Sequence, residues 1–185
     1  MSKSFFTDYF SLMQKNIESV SIEDLIKSSE IIQAVSRKGK KLIIVGNGGS
    51  AAMASHVSVD FTKAAGIRSI NFNEADLLTC FSNDYGYSRV FEKAIEFYGD
   101  SGDLVILISS SGNSPNVINA GKRARQLNMD IITFSGFSSD NRLRKLGDIN
   151  FWVDSKAYNI VEMTHHIYLL SIIDYIIGNI EYPAY

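Results

Sequence analysis

The stretch Lys41-Leu42-Ile43-Ile44-Val45-Gly46-Asn47-Gly48-Gly49-Ser50-Ala51-Ala52 decides the fold. A short apolar run, largely β-branched, breaks off in a glycine-rich turn and passes into Ala-rich sequence of helical character, which predicts strand, tight loop and helix. The same grammar returns at Leu104-Val105-Ile106-Leu107-Ile108, which runs into Ser109-Ser110-Ser111-Gly112-Asn113-Ser114. Pro115 then stands where a first helical residue should, with Ser114 as its N-cap. Further strands are predicted at 69–72, 130–134 and 149–153, and helices at 74–82, 87–98, 115–127 and 139–146. Fully apolar strands alternating with helices imply an α/β fold whose parallel sheet is covered on both faces. Upstream, residues 5–38 read as two helices, with Ser21, Glu23 and Asp24 supplying a cap and first-turn negative charge. Downstream, 158–180 reads as one long helix, apolar over so much of its surface that it must be buried against the domain, another subunit, or both.

The 185 residues, 45% of them hydrophobic and 21% charged, fit a single domain over 1–185. Prolines occur only at 115 and 183, and no Gly/Ser-rich linker divides the chain. Eighteen Lys and Arg against twenty Asp and Glu leave a net charge of −2, so no basic excess points to nucleic acid. The longest apolar runs fall short of the roughly 20 residues that cross a bilayer, so no membrane partner is expected. The start lacks the apolar core of a signal peptide, and the single cysteine, Cys80, cannot form an internal disulfide. Both features favour the cytoplasm. Cys80 itself, followed by Phe81 and without basic neighbours in sequence, reads as a core residue.

In an open α/β sheet, ligands sit at the carboxyl ends of the strands, where loops meet helix N-termini. The loop from Gly46 to Ser50 offers backbone N–H groups, and the loop from Ser109 to Ser114 adds four serine hydroxyls and an asparagine amide. Together they describe a cradle for one phosphate monoester. Neither loop carries a Walker A lysine, which argues against a nucleoside triphosphate with magnesium. Each loop alone could equally be a plain strand-to-helix turn. Gly46-x-Gly48-x-x-Ala51 also matches a dinucleotide fingerprint, with Glu74 about 25 residues downstream, but the serine loop has no place in that scheme and no nucleotide cofactor is expected. His56 and Asp60 share one helix face, as do Glu162 and His166, with His165 three residues from Glu162. Adjacent helical residues point about 100° apart, so His165 and His166 cannot both face one site. Asn83-Asp84-Tyr85-Gly86 reads as a polar turn between helical segments.

Gly46-Asn47-Gly48-Gly49-Ser50-Ala51-Ala52, His56, Asn83-Asp84-Tyr85-Gly86-Tyr87 and the run from Ile108 to Val117 together resemble the phosphoheptose isomerases of the sugar isomerase, or SIS, domain superfamily. The resemblance covers nearly the whole chain. It implies a flavodoxin-like, five-stranded parallel sheet and a homotetramer with sites at subunit interfaces, residues 1–38 serving in oligomerisation. It also implies conversion of sedoheptulose 7-phosphate to D-glycero-D-manno-heptose 7-phosphate for the heptose of lipopolysaccharide or capsule. Carried over by position, Asn47, Gly48 and Gly49 would contact substrate, Asn83 and Asp84 the sugar, and Ser109, Ser110, Ser111 and Ser114 the phosphate. Ser50 belongs to the same cradle. His56 would be a zinc ligand.

The chain departs from the family at the metal. Where the family has a Glu that is both ligand and base, this chain has Asp60. The family's Gln-Glu-x-His on the terminal helix is here Val161, Glu162, Met163 and Thr164, and its further His falls at Leu169. Three arrangements then stand open. Glu162 with His165 or His166 rebuilds a zinc site around His56 and Asp60. Or Asp60 or Glu162 acts as a base without metal, a histidine from 165 and 166 helping to open the ring or return the proton. Or the chain binds a sugar phosphate or a protein partner without converting anything.

Overall fold

Every residue of the first strand is buried, because helices cover the sheet on both sides. The computed structural model describes residues 3–181; Pro183 and the ends of the 1–185 span lie outside the described residues. In chain order the elements are α1 (Lys3–Glu18), α2 (Ile22–Arg37), β1 (Leu42–Val45), α3 (Gly49–Lys63), β2 (Ser69–Ile70) and α4 (Ala75–Tyr85). There follow α5 (Val90–Tyr98), β3 (Leu104–Ser109), α6 (Pro115–Gln126), β4 (Asp130–Ser135), β5 (Ile149–Trp152) and α7 (Tyr158–Ile177). All neighbouring strands pair parallel, in the order β2-β1-β3-β4-β5. This is the flavodoxin-like order, whose switch point falls between β1 and β3. There the register runs from Leu42 opposite Leu104 to Val45 opposite Leu107, so the two strands deliver their following loops side by side.

Alternation along each strand divides the core in two. Leu42 and Ile44 of β1, with Leu104, Ile106 and Ile108 of β3, pack against α2, α3 and α7. Ile43 and Val45, with Val105 and Leu107, pack against α5 and α6. The α2 start is capped as its sequence suggests, Ser21 Oγ accepting the Asp24 N–H at 3.1 Å, a contact that contributes about 1 kcal/mol. The α7 helix is long and apolar enough, by length and composition alone, to cross a membrane. Here it packs on α1, α2, α3 and β4 and buries Val161, Leu169, Ile172 and Ile173.

Several boundaries differ from the sequence reading. The second strand stops at Ile70, and β3 and β4 each run one residue further, to Ser109 and Ser135. The 87–98 segment begins with a 3₁₀ turn at Tyr87–Arg89 before α5 proper. The 139–146 segment is a loop with one 3₁₀ turn at Leu143–Lys145. The α7 helix ends at Ile177 because Gly178, at φ 83°, takes the left-handed conformation that terminates it. Cys80 is exposed, not part of the core, since Leu77, Leu78 and Phe81 are the α4 side chains that pack against the core.

Candidate functional site

At the switch point, the ends of β1 and β3 open into a cavity of about 210 Å³. Its walls are Asn47, Ser50, Ile108, Ser109, Ser110, Ser111, Ser114, Tyr158 and Glu162. Two sequence features shape it. Gly48 sits at φ 55°, a left-handed conformation suited to glycine, and turns the chain directly into α3. Ser114 takes an extended conformation ahead of Pro115 and starts α6. Both helices therefore present their N-termini, where unpaired N–H groups and the helix dipole favour an anion. Ser109 Oγ and Ser114 Oγ lie 3.0 Å apart across the second loop, so its two ends are tied together.

Glu162 reaches this cavity from α7. Its neighbour Val161 is fully buried against Gly136, and the helical rotation between adjacent residues turns Glu162 toward the serines. Ser110 Oγ donates to Glu162 Oε1 at 3.4 Å. The carboxylate lies so close over Gly49 that any side chain there would collide with it. The cavity thus has a hydroxyl-lined, anion-favouring wall and a carboxylate facing it.

The remaining expected residues divide clearly. His56 and Asp60 lie further along α3, and His166 one turn along α7 from Glu162. They form a string: His56 Nδ1 is 2.9 Å from His166 Nε2, and His56 Nε2 is 3.3 Å from Asp60 Oδ2. Partial burial and the neighbouring His56 hold the His166 imidazole below its ordinary value, while Asp60 works in the opposite direction. His165 is not a candidate for acid–base work. It is fully buried, stacks edge-on against Phe134 and bonds through Nε2 to the Ser135 carbonyl at 3.0 Å. Burial pushes its pKa down to about 4, so it stays neutral. Asn83 and Asp84 sit exposed on α4, bonded to each other at 2.9 Å and not part of the cavity wall.

These donors do not fit a tetrahedral zinc. His166 and Asp60 engage opposite nitrogens of the His56 ring, so the three as placed do not converge on one ion. The places expected to supply the other two ligands, Val161 and Leu169, are fully buried in the apolar core. Among the described residues no three His, Cys, Asp or Glu side chains converge on a common point, whereas a structural or catalytic zinc needs three or four.

The sequence reading missed Tyr158 in the cavity wall, and it assigned no role to Asn116 or Tyr87. Asn116 is 2% exposed and pairs its amide with that of Asn47, whose Oδ1 also accepts the Tyr87 hydroxyl at 2.8 Å. The available signal was Asn116's place directly after Pro115 in the first turn of α6.

The SIS domain family model matches residues 5–136, which hold both loops. The phosphoheptose isomerase of Aliarcobacter butzleri is 38% identical over 160 residues, 83% of this chain and 84% of the relative. The chain belongs to the phosphoheptose isomerase family. The Fusobacterium nucleatum member is 34% identical over 173 residues, 89% of this chain and 88% of that one. Among solved structures, the Neisseria gonorrhoeae phosphoheptose isomerase superposes with a TM-score of 0.86 at 27% identity, covering 94% of this chain and 96% of the other. The Francisella tularensis structure, at 22% identity and a TM-score of 0.87, shares the fold over 96% of this chain and 99% of its own. This chain, like its family, is an isomerase with the five-stranded parallel SIS fold.

Proposed function

We propose that the chain interconverts sedoheptulose 7-phosphate and D-glycero-D-manno-heptose 7-phosphate, with Glu162 as the base. The observation that carries this reading is a carboxylate facing a serine-lined cradle inside one cavity. The phosphate rests on the Ser109–Ser114 loop and the α6 N-terminus, with Ser50 and the α3 N-terminus opposite. Glu162 takes the proton from C1 of the ketose, the hydroxyl proton on O1 moves to O2 through a cis-enediol, and the proton returns at C2. His166, tied through His56 to Asp60, lies one turn from Glu162 and serves ring opening. No step is routed through zinc, because the donors of this chain do not fit it.

The wider setting follows the same reading. The product supplies heptose for lipopolysaccharide or capsule, and the enzyme works in the cytoplasm as a homotetramer. Support for association comes from exposed apolar side chains concentrated on the N-terminal helices: Phe5, Phe6, Phe10 and Leu12 on α1, Ile22 and Ile26 on α2. Such a patch marks an interaction surface. Asn83 and Asp84, outside the cavity of their own chain, are placed by this reading at the site of a neighbouring subunit.

The test is NMR of the purified protein with sedoheptulose 7-phosphate in D₂O. Formation of an aldose phosphate carrying deuterium at C2, lost in Glu162→Gln, supports the assignment. Binding without conversion by the unaltered protein would instead make it a sugar-phosphate binder.

A further inference from the structure

We infer that Asn116 is a positioning residue that fixes the amide of Asn47 so that its one free hydrogen-bonding group is an N–H. This rests on the isomerase reading of the cavity. The chain of reasoning starts at the backbone. In the first turn of α6 the Val117 N–H has no carbonyl four residues back to bond, and Asn116 Oδ1 accepts it at 3.0 Å. An amide nitrogen could not take that place, so the backbone sets which way the Asn116 side chain is turned. Asn116 Nδ2 then donates to Asn47 Oδ1 at 2.8 Å, and Asn116 Oδ1 accepts from Asn47 Nδ2 at 2.9 Å. The Tyr87 hydroxyl donates to the same Asn47 Oδ1 at 2.8 Å. Both lone pairs of that oxygen are now occupied, and one of the two Nδ2 hydrogens is used.

What remains to Asn47, in the wall of the cavity beside Ser109, Ser111 and Glu162, is a single N–H donor. It selects an oxygen that accepts, and above all one that gains negative charge, as the substrate oxygens do when an enediol forms beside a carboxylate base. Three segments far apart in sequence, at 47, 87 and 116, are joined to set this one donor.

The experiment compares the full chain with Asn116→Asp, Tyr87→Phe and, as a control on the same helix, Asn119→Ala, whose amide bonds only the Ser88 carbonyl. In Asn116→Asp the carboxylate still accepts from Val117 and Asn47 Nδ2, but its second oxygen meets Asn47 Oδ1 with no proton between them, and turning the Asn47 amide over only moves that clash to the other contact, so the pair parts and Asn47 is no longer held in one orientation. Expected is a loss of about 100-fold in kcat/KM, the usual cost of one oxyanion donor, with Asn119→Ala unchanged. Tyr87→Phe, at an exposed tyrosine, folds normally and loses a few-fold. The second readout is the ¹⁵N-labelled Asn47 side-chain amide, whose free proton shifts on adding sedoheptulose 7-phosphate to the unaltered protein and not to Asn116→Asp. A purely structural role would lower the melting temperature and leave KM, kcat and this signal in place. An Asn116→Asp enzyme within threefold of the original overturns the inference. If Asn116→Asp does not fold, an Asn47 amide unmoved by ligand in the unaltered protein, or full activity in Tyr87→Phe, overturns it. If the unaltered chain converts nothing, the isomerase reading fails by itself, and the inference stands or falls on whether Asn116→Asp releases the Asn47 amide, read from its ¹⁵N signal with inorganic phosphate added as probe.

Discussion

Replacing Gly49 by alanine should separate activity from stability. Gly49 is the first residue of α3 and has an ordinary negative φ, so the backbone accepts alanine without strain. Alanine is also the better helix former, by up to about 1 kcal/mol in a helix interior and less at its first turn. The new methyl, however, would lie 2.7 Å from Glu162 Cδ and 3.0 Å from Oε1, and closer still to Oε2, against an ordinary contact of 3.4 Å or more. Glu162 sits at the end of a flexible side chain and gives way, retreating by about 1 Å. A displacement of that size at a reacting group costs on the order of 100-fold in rate. The expected result is a melting temperature within about 2 °C of the original and a kcat for sedoheptulose 7-phosphate reduced by about 100-fold, both read on one preparation. Full kcat in Gly49→Ala would refute the reasoning, because Glu162 could not then be the base at the position described.

Glu162→Gln keeps the shape of the side chain and removes its basicity; kcat should fall by about 10²- to 10⁴-fold, the usual contribution of a general base, with unfolding unchanged, and a loss of under tenfold would point to another base. His165 makes a pH prediction. Its folded pKa of about 4 lies below the ordinary 6.5, so between those values the unfolded chain binds a proton the folded chain does not, and stability falls as pH drops through that window. Urea unfolding at pH 7 and pH 5 should differ by about 2 kcal/mol more in the original than in His165→Gln; equal differences would show that the imidazole is not buried neutral. Charging the apolar patch with Phe6→Glu and Phe10→Glu together should shift the protein to a smaller species in sedimentation, and an unchanged sedimentation coefficient would remove α1 from the subunit interface.

The parts of the fold that were legible in the sequence are those where one physical constraint dominates. The β1 and β3 strands are buried on both faces, so they read as unbroken apolar runs, and the loops after them read as the candidate site because ligands gather at the carboxyl ends of parallel strands. The 139–146 segment misled because Leu143 and Leu146 are spaced as on a helix. Long-range bonds decide otherwise: the Leu143 N–H donates to the Gly112 carbonyl at 2.9 Å and the Arg142 N–H to Asn113 Oδ1 at 3.3 Å, partners that only the tertiary fold brings near. The α7 helix carried the hardest question. It is apolar on almost every side, so no polar stripe fixes its rotation, and the sequence could not say which of His165 and His166 turns away from the core. Packing of Val161 on Gly136 answers it.

One feature of the layout bears on how such a chain diversifies. The cradle is complete by Ser114, inside the 5–136 span shared with SIS domains at large, whereas the carboxylate arrives on a helix that begins at Tyr158. On the proposed reading, the grip on the phosphate and the base that acts on the sugar thus come from separate stretches of the chain. A change confined to the last helix would then alter the base while leaving the phosphate cradle as it is.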